Sequence, residues 1–91
     1  MKLALVSIQD KKSTGISPIW TERNPAIAVR NFVEQCQTKG TQYNKFPEDY
    51  ALILVGEVET DTGIITPYIT EKDNKSKILA EAINFVNTED K

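Results

Sequence analysis

The chain has no histidine and a single cysteine, Cys36. Without histidine, the commonest general base and the commonest metal ligand are missing. Ser-His and Cys-His nucleophilic pairs, and a zinc site in its usual form, are thereby excluded. One cysteine excludes an intrachain disulfide and fits a reducing compartment. No run of about 18 apolar residues occurs, so no segment is expected to span a membrane. The apolar start, Met1 to Ile8, is short, lacks a small-residue cleavage site and runs straight into Asp10-Lys11-Lys12. It reads as a strand, not a signal peptide. Glycine is sparse, four in 91 residues, and forms neither Gly-x-Gly-x-x-Gly nor a P-loop. No nucleotide-dependent enzyme and no cofactor are expected.

What is present fits one small domain, residues 1–91, with an apolar content high enough to fold. The net charge of −2 hides a division: residues 1–45 carry +4 and residues 46–91 carry −6. Such a split presents one basic face to a polyanion if the halves stay apart in space, or disappears if they interleave.

Lys2 to Gln9 reads as a strand with Leu3 and Leu5 on one face and Ala4, Val6 and Ile8 on the other. Polar Asp10 to Gly15 is a turn. Ile16 to Thr21 is a second short strand, and Pro18 inside it points to an irregular edge. Asn24-Pro25 opens a helix, with asparagine as N-cap and proline as first residue. Its expected buried stripe is Val29, Phe32, Val33 and Cys36, extended by Ala26, and Gly40 closes it. Thr41 to Lys45 is a polar loop. Tyr50 to Glu59 is the strongest strand, expected to be central, with Tyr50, Leu52, Leu54 and Val58 on one face and Ala51, Ile53 and Val55 on the other. Gly56 marks a bulge or a close backbone approach. Thr60-Asp61-Thr62-Gly63 reads as a hairpin turn, and Ile64 to Thr70, holding Pro67, as an edge strand pairing back. A last helix is expected after Asp73, Asn74 or Ser76, with Ile78, Leu79, Ala82, Ile83 and Val86 as its stripe, Phe85 flanking and a frayed tail from Asn87. The fold expected is α+β in the order ββαββα: an antiparallel sheet with helices packed on one face, completed by dimerisation.

Few residues suggest chemistry. Glu48 and Asp49 are neighbours and so point apart, and Glu57, Glu59 and Asp61 lack the pattern of a calcium loop, so neither a catalytic nor a metal role is expected. Cys36 falls on the helix stripe and reads as core. The basic and aromatic residues of the first half carry more weight. Single-stranded nucleic acid is held by cations on phosphates and by aromatic faces on bases. Lys2, Lys11, Lys12, Arg23, Arg30 and Lys45 are the candidate phosphate contacts, and Trp20 and Tyr43 the candidate stacking rings.

An ordered series of short motifs runs through the first seventy or so residues: Ser7-Ile8-Gln9-Asp10 with Lys11 and Lys12, Pro18 and Trp20, Ala28 and Phe32, Pro47-Glu48-Asp49-Tyr50, Val55-Gly56 and Asp61-Thr62-Gly63. The series resembles the small nonstructural proteins of gokushovirus-type phages, microviruses with circular single-stranded DNA genomes. The chain departs from that pattern at Phe46, where a histidine is usual, and at Gln9, where an arginine is usual. The resemblance implies a DNA-binding, nonstructural phage protein acting on the single-stranded genome in replication or packaging, in the cytoplasm of a bacterial host. It assigns no DNA contact to an individual residue.

The expected function is thus a non-enzymatic single-stranded-DNA-binding protein, a homodimer without cofactor. The alternative is a module that docks on a phage capsid or host protein through an apolar sheet face or edge.

Overall fold

The computed structural model describes residues 1–69 and 76–86. Six antiparallel strands and two helices follow in the order β1 (Lys2–Asp10), β2 (Gly15–Ile16), β3 (Trp20–Glu22), α1 (Pro25–Gln37), α2 (Gln42–Lys45), β4 (Tyr50–Glu59), β5 (Ile65–Pro67) and β6 (Lys77–Glu81). The class is α+β, with an antiparallel sheet, as expected. β1 and β4 pair along their whole length, Lys2 opposite Glu59 and Asp10 opposite Tyr50. The outer edge of β1 is shared by β2, at Gln9 and Asp10, and β3, at Ala4 to Val6. The outer edge of β4 is shared in the same way by β5, at Gly56 to Val58, and β6, at Ala51 to Leu54. Pro18 lies in the gap between β2 and β3, where a missing N–H costs the ladder nothing.

α1 begins as its sequence dictates. The Asn24 side chain accepts from the Ile27 N–H at 3.1 Å, and Pro25 takes the first helical position. The buried residues are Ala28, Phe32 and Cys36, spaced four apart, with Val29 packed beside them. Ala26 is exposed and Val33 only partly buried, so the stripe is rotated from the expected one. These side chains cover Ala4, Val6 and Ile8 of β1, Leu52 and Leu54 of β4, and Ala80 and Ala82, which together form the core. The helix ends at Gln37 with Thr38 as its cap, and Gly40 lies in the turn beyond.

Three further expectations need correction. Thr41 to Lys45 is not a loop: Thr41 caps the single turn α2, its Oγ1 accepting from the Asn44 N–H at 3.1 Å. Val58 does not share a face with Leu52 and Leu54. The β1–β4 register jumps from Leu5–Gly56 to Val6–Leu54, so Val55 is an extra residue, and the bulge turns everything after it over. Gly56 sits beside this bulge and in close approach to β5; a Cβ there would meet the Thr66 carbonyl oxygen at 2.6 Å.

The final element is the largest correction. Lys77 to Glu81 is a strand, followed by a single 3₁₀ turn, Ala82–Asn84, where the order ββαββα had placed a helix. Its spacing looks helical because β6 also carries a bulge: Leu52–Ala80 is followed by Ile53–Ile78, leaving Leu79 extra. The insertion disrupts the twofold alternation. The open edge of β4 then outweighs helix propensity by offering backbone partners. Of the expected stripe Ala82 is buried but Ile78 and Ile83 are about half exposed, and Ala80, outside that stripe, is buried instead. The proposed caps Asp73 and Asn74 and the tail from Asn87 lie outside the described residues.

Candidate nucleic-acid interface

β3 pairs with β1 so that Trp20 lies opposite Val6 and Glu22 opposite Ala4, both core residues. Alternation along a strand thus puts Trp20 and Glu22 on the helix-bearing side of the sheet. Trp20 Nε1–H donates to Glu22 Oε2 at 3.0 Å, which fixes the indole at its polar edge. The ring remains partly open to solvent. On the facing surface of α1, Asn31 and Gln35 stand four residues apart and so side by side. Between the two elements is a cleft of about 300 Å³ lined by Ser17, Trp20, Glu22, Asn31, Gln35 and Tyr43, with the core residues Ile8, Ala28 and Phe32 at its base. That volume is at the small end of the roughly 300–1,000 Å³ typical of ligand pockets.

Tyr43 reaches the cleft because α2 is tied to the end of α1. Asn44 Nδ2 donates to the Cys36 carbonyl at 2.8 Å and Thr41 Oγ1 to the Gln35 carbonyl at 2.7 Å. The Tyr43 ring lies 5.5 Å from Phe32 and 5.0 Å from Tyr50, edge-on to the latter. Burial raises the Tyr43 phenol above its ordinary value, so it stays protonated and able to donate. Tyr50 donates its hydroxyl to Gln42 Oε1 at 2.9 Å.

Two further depressions adjoin the cleft. A second depression shares Ile8, Ser17 and Tyr43 with it and adds Tyr50, Asp10 and Ser13. A third shares Asp10, Ser13 and Tyr50 with the second and ends at Lys12 and Phe46. The three adjoin through these shared residues, and the groove region they outline carries Trp20, Tyr43, Tyr50 and Phe46 among its lining residues. Asp10 at its floor accepts from the Lys12 and Ser13 N–H groups, which shapes the β1–β2 turn.

The eight residues singled out from the sequence separate into groups. Trp20 and Tyr43 line the same cleft. Lys12 lines the far end of the groove, Lys45 directly precedes Phe46, and Arg23 directly follows Glu22. Lys12, Arg23, Arg30 and Lys45 are all exposed and make no ion pair among the described residues. Lys2 and Lys11 are different: Lys2 faces Glu57 at 3.9 Å, and Lys11 is paired with Glu81. The two halves of the sequence therefore interleave where β1 pairs with β4 and where Lys11, just after β1, reaches Glu81 of β6, and the charge division is partly cancelled there. Sequence reasoning missed Glu22, Asn31, Gln35, Tyr50 and Phe46 as groove residues. The alternation of Trp20 with Glu22 and the spacing of Asn31 and Gln35 were signals for three of them.

The family model described as Phage ORF5 protein matches residues 3–85. No curated protein and no solved structure matches the chain. Among the described residues, no helix is long and apolar enough to cross a membrane, and no three His, Cys, Asp or Glu side chains gather as a metal site.

Proposed function

We propose that this chain, which belongs to the Phage ORF5 protein family, is a non-enzymatic single-stranded-DNA-binding protein of a small single-stranded-DNA phage. It acts on the viral genome in replication or packaging, in the host cytoplasm and as a homodimer. The observation that carries the reading is the cleft: Trp20 and Tyr43, chosen from the sequence as stacking rings, line it together, and the depressions that adjoin it add Tyr50 and Phe46. Successive aromatic faces beside exposed cations are the two ingredients of single-strand binding. Lys12 lines the groove, Lys45 and Arg23 neighbour its lining residues in the chain, and Arg30 is exposed on α1; these four supply the cations. Glu22, Asp10 and Asp49 inside the groove repel phosphates, so the bases enter and the backbone stays at the rim. Fluorescence anisotropy with a labelled oligonucleotide over a salt series tests this. Four phosphate contacts give a slope of about −3 in log K against log salt. Absence of binding at low salt, or binding that ignores salt, refutes the reading.

A second reading, docking on a phage capsid or host protein, rests on a different region. Ile64, Ile65, Tyr68, Ile69 and Ile78 are all exposed on or beside β5 and β6. Affinity purification from infected cells separates the two: recovery of capsid protein without nucleic acid favours docking.

A further inference from the structure

The groove is acidic where the strand-binding reading places the bases, and that determines which bases it accepts. We propose that the Trp20 cleft holds one base at a time and selects those carrying an exocyclic amino group, cytosine over thymine in particular. The inference rests on the single-strand reading above and assigns its specificity.

Glu22 Oε2 is occupied by the Trp20 indole N–H, whereas Oε1 has no partner among the described residues. It is a carboxylate acceptor held in place on the wall of a cleft of about 300 Å³, which has room for a base. A carboxylate accepts from the cytosine 4-amino group, and Glu or Asp opposite that group is a recurrent recognition pair. Thymine presents a carbonyl oxygen at the same position, and two acceptors facing each other repel. The indole N–H cannot offset this, because it already donates to Glu22. Asn31 and Gln35 each offer both a donor and an acceptor to the rest of the base edge, so neither base is rejected by them. The discrimination therefore falls on Glu22. Stacking platforms without such a wall tolerate any base and often favour pyrimidine runs of either kind. Cytosine and thymine differ little in size, so a difference between them reports the edge contact and not the stack.

The single tryptophan is the reporter. Oligodeoxycytidine and oligodeoxythymidine of about 15 nucleotides, within the site size of small single-strand binders, are titrated into the protein at low salt and slightly alkaline pH. Trp20 emission is followed, with anisotropy of a labelled strand in parallel. The expected result is quenching by both, with roughly tenfold tighter binding of the cytidine strand. Glu22→Gln keeps an acceptor for the indole N–H and adds an amide donor that pairs with the thymine carbonyl, so the preference falls to near unity or reverses. Circular dichroism confirms that this variant is folded. Asn31→Ala weakens both strands alike. Equal, salt-dependent binding of both strands by the wild-type protein overturns the base selection and leaves the strand-binding reading standing. A preference that survives Glu22→Gln overturns the assignment to Glu22. No binding of either strand overturns both.

Discussion

β1 with β2 and β3, and β4 with β5 and β6, are two versions of one arrangement. In each, a long strand pairs first with a short strand near its end and then with another along its start. Even the connecting bonds correspond: Ser17 N–H donates to the Ile8 carbonyl and Tyr68 N–H to the Val55 carbonyl, both at 2.9 Å. The halves diverge after their third strand. Beyond β3 comes the 13-residue α1, and beyond β6 only a 3₁₀ turn within the described residues. In the first half the edge strand and the helix enclose a cleft with an indole, two amides and a carboxylate. In the second half the edge strands leave isoleucines exposed. The strand framework alone therefore does not make the cleft; a helix set against one edge does.

Four substitutions test the two halves separately. Phe32 is buried between α1 and the sheet and touches Tyr43, so Phe32→Ala removes the joint between helix and groove. It is expected to cost about 3–5 kcal/mol, measured by urea denaturation, and to abolish binding. Trp20→Ala leaves stability nearly unchanged because the ring is partly exposed, but removes a stack of roughly 1–3 kcal/mol, seen as weaker oligonucleotide binding. If binding is untouched, the first-half cleft is not the site. Gly56→Ala forces a methyl against the Thr66 carbonyl and is expected to destabilise by about 1–3 kcal/mol. The damage lies at the β4–β5 edge, so Trp20 emission in the folded protein keeps its wavelength; a shift would show that the halves are coupled. Asn24→Ala removes the cap of α1 for about 1 kcal/mol, read as a lower denaturation midpoint with affinity little changed in the folded protein.

Cys36 supplies a test of the core on the helical side. Burial pushes its thiol from an ordinary 9.0 up to about 11. The folded state thus holds the proton more tightly than the unfolded chain. That contribution to stability is complete below about pH 9 and is lost as pH rises towards 11. At pH values below that window a thiol reagent is expected to label the denatured protein and not the native one. Labelling of native protein at the denatured rate contradicts the burial of this face.

Local chemistry made α1 legible: Asn24-Pro25 sets its start, and Phe32 and Cys36 set its buried side. β1 and β4 were legible because apolar residues on both faces fit no exposed strand. β6 was not, because the Leu79 bulge hides the alternation and the open β4 edge outweighs propensity. α2 was not, because one turn has no stripe; it depends on Thr41 and Asn44 reaching back to α1. The same limit applies to the groove. Trp20 and Tyr43 stood out by residue type; local spacing pairs Glu22 with Trp20 and Asn31 with Gln35, but the two pairs meet only because β3 and α1 face each other, a long-range fact that neither spacing carries.

The most direct test is a two-dimensional amide NMR titration of the labelled protein with an oligodeoxycytidine at low salt. Shifts are expected at the Trp20 indole N–H, at the Asn31 and Gln35 side-chain amides and along the groove to Phe46, with Ile65 and Ile78 unmoved. Shifts confined to β5 and β6, or none at all, would contradict this expectation.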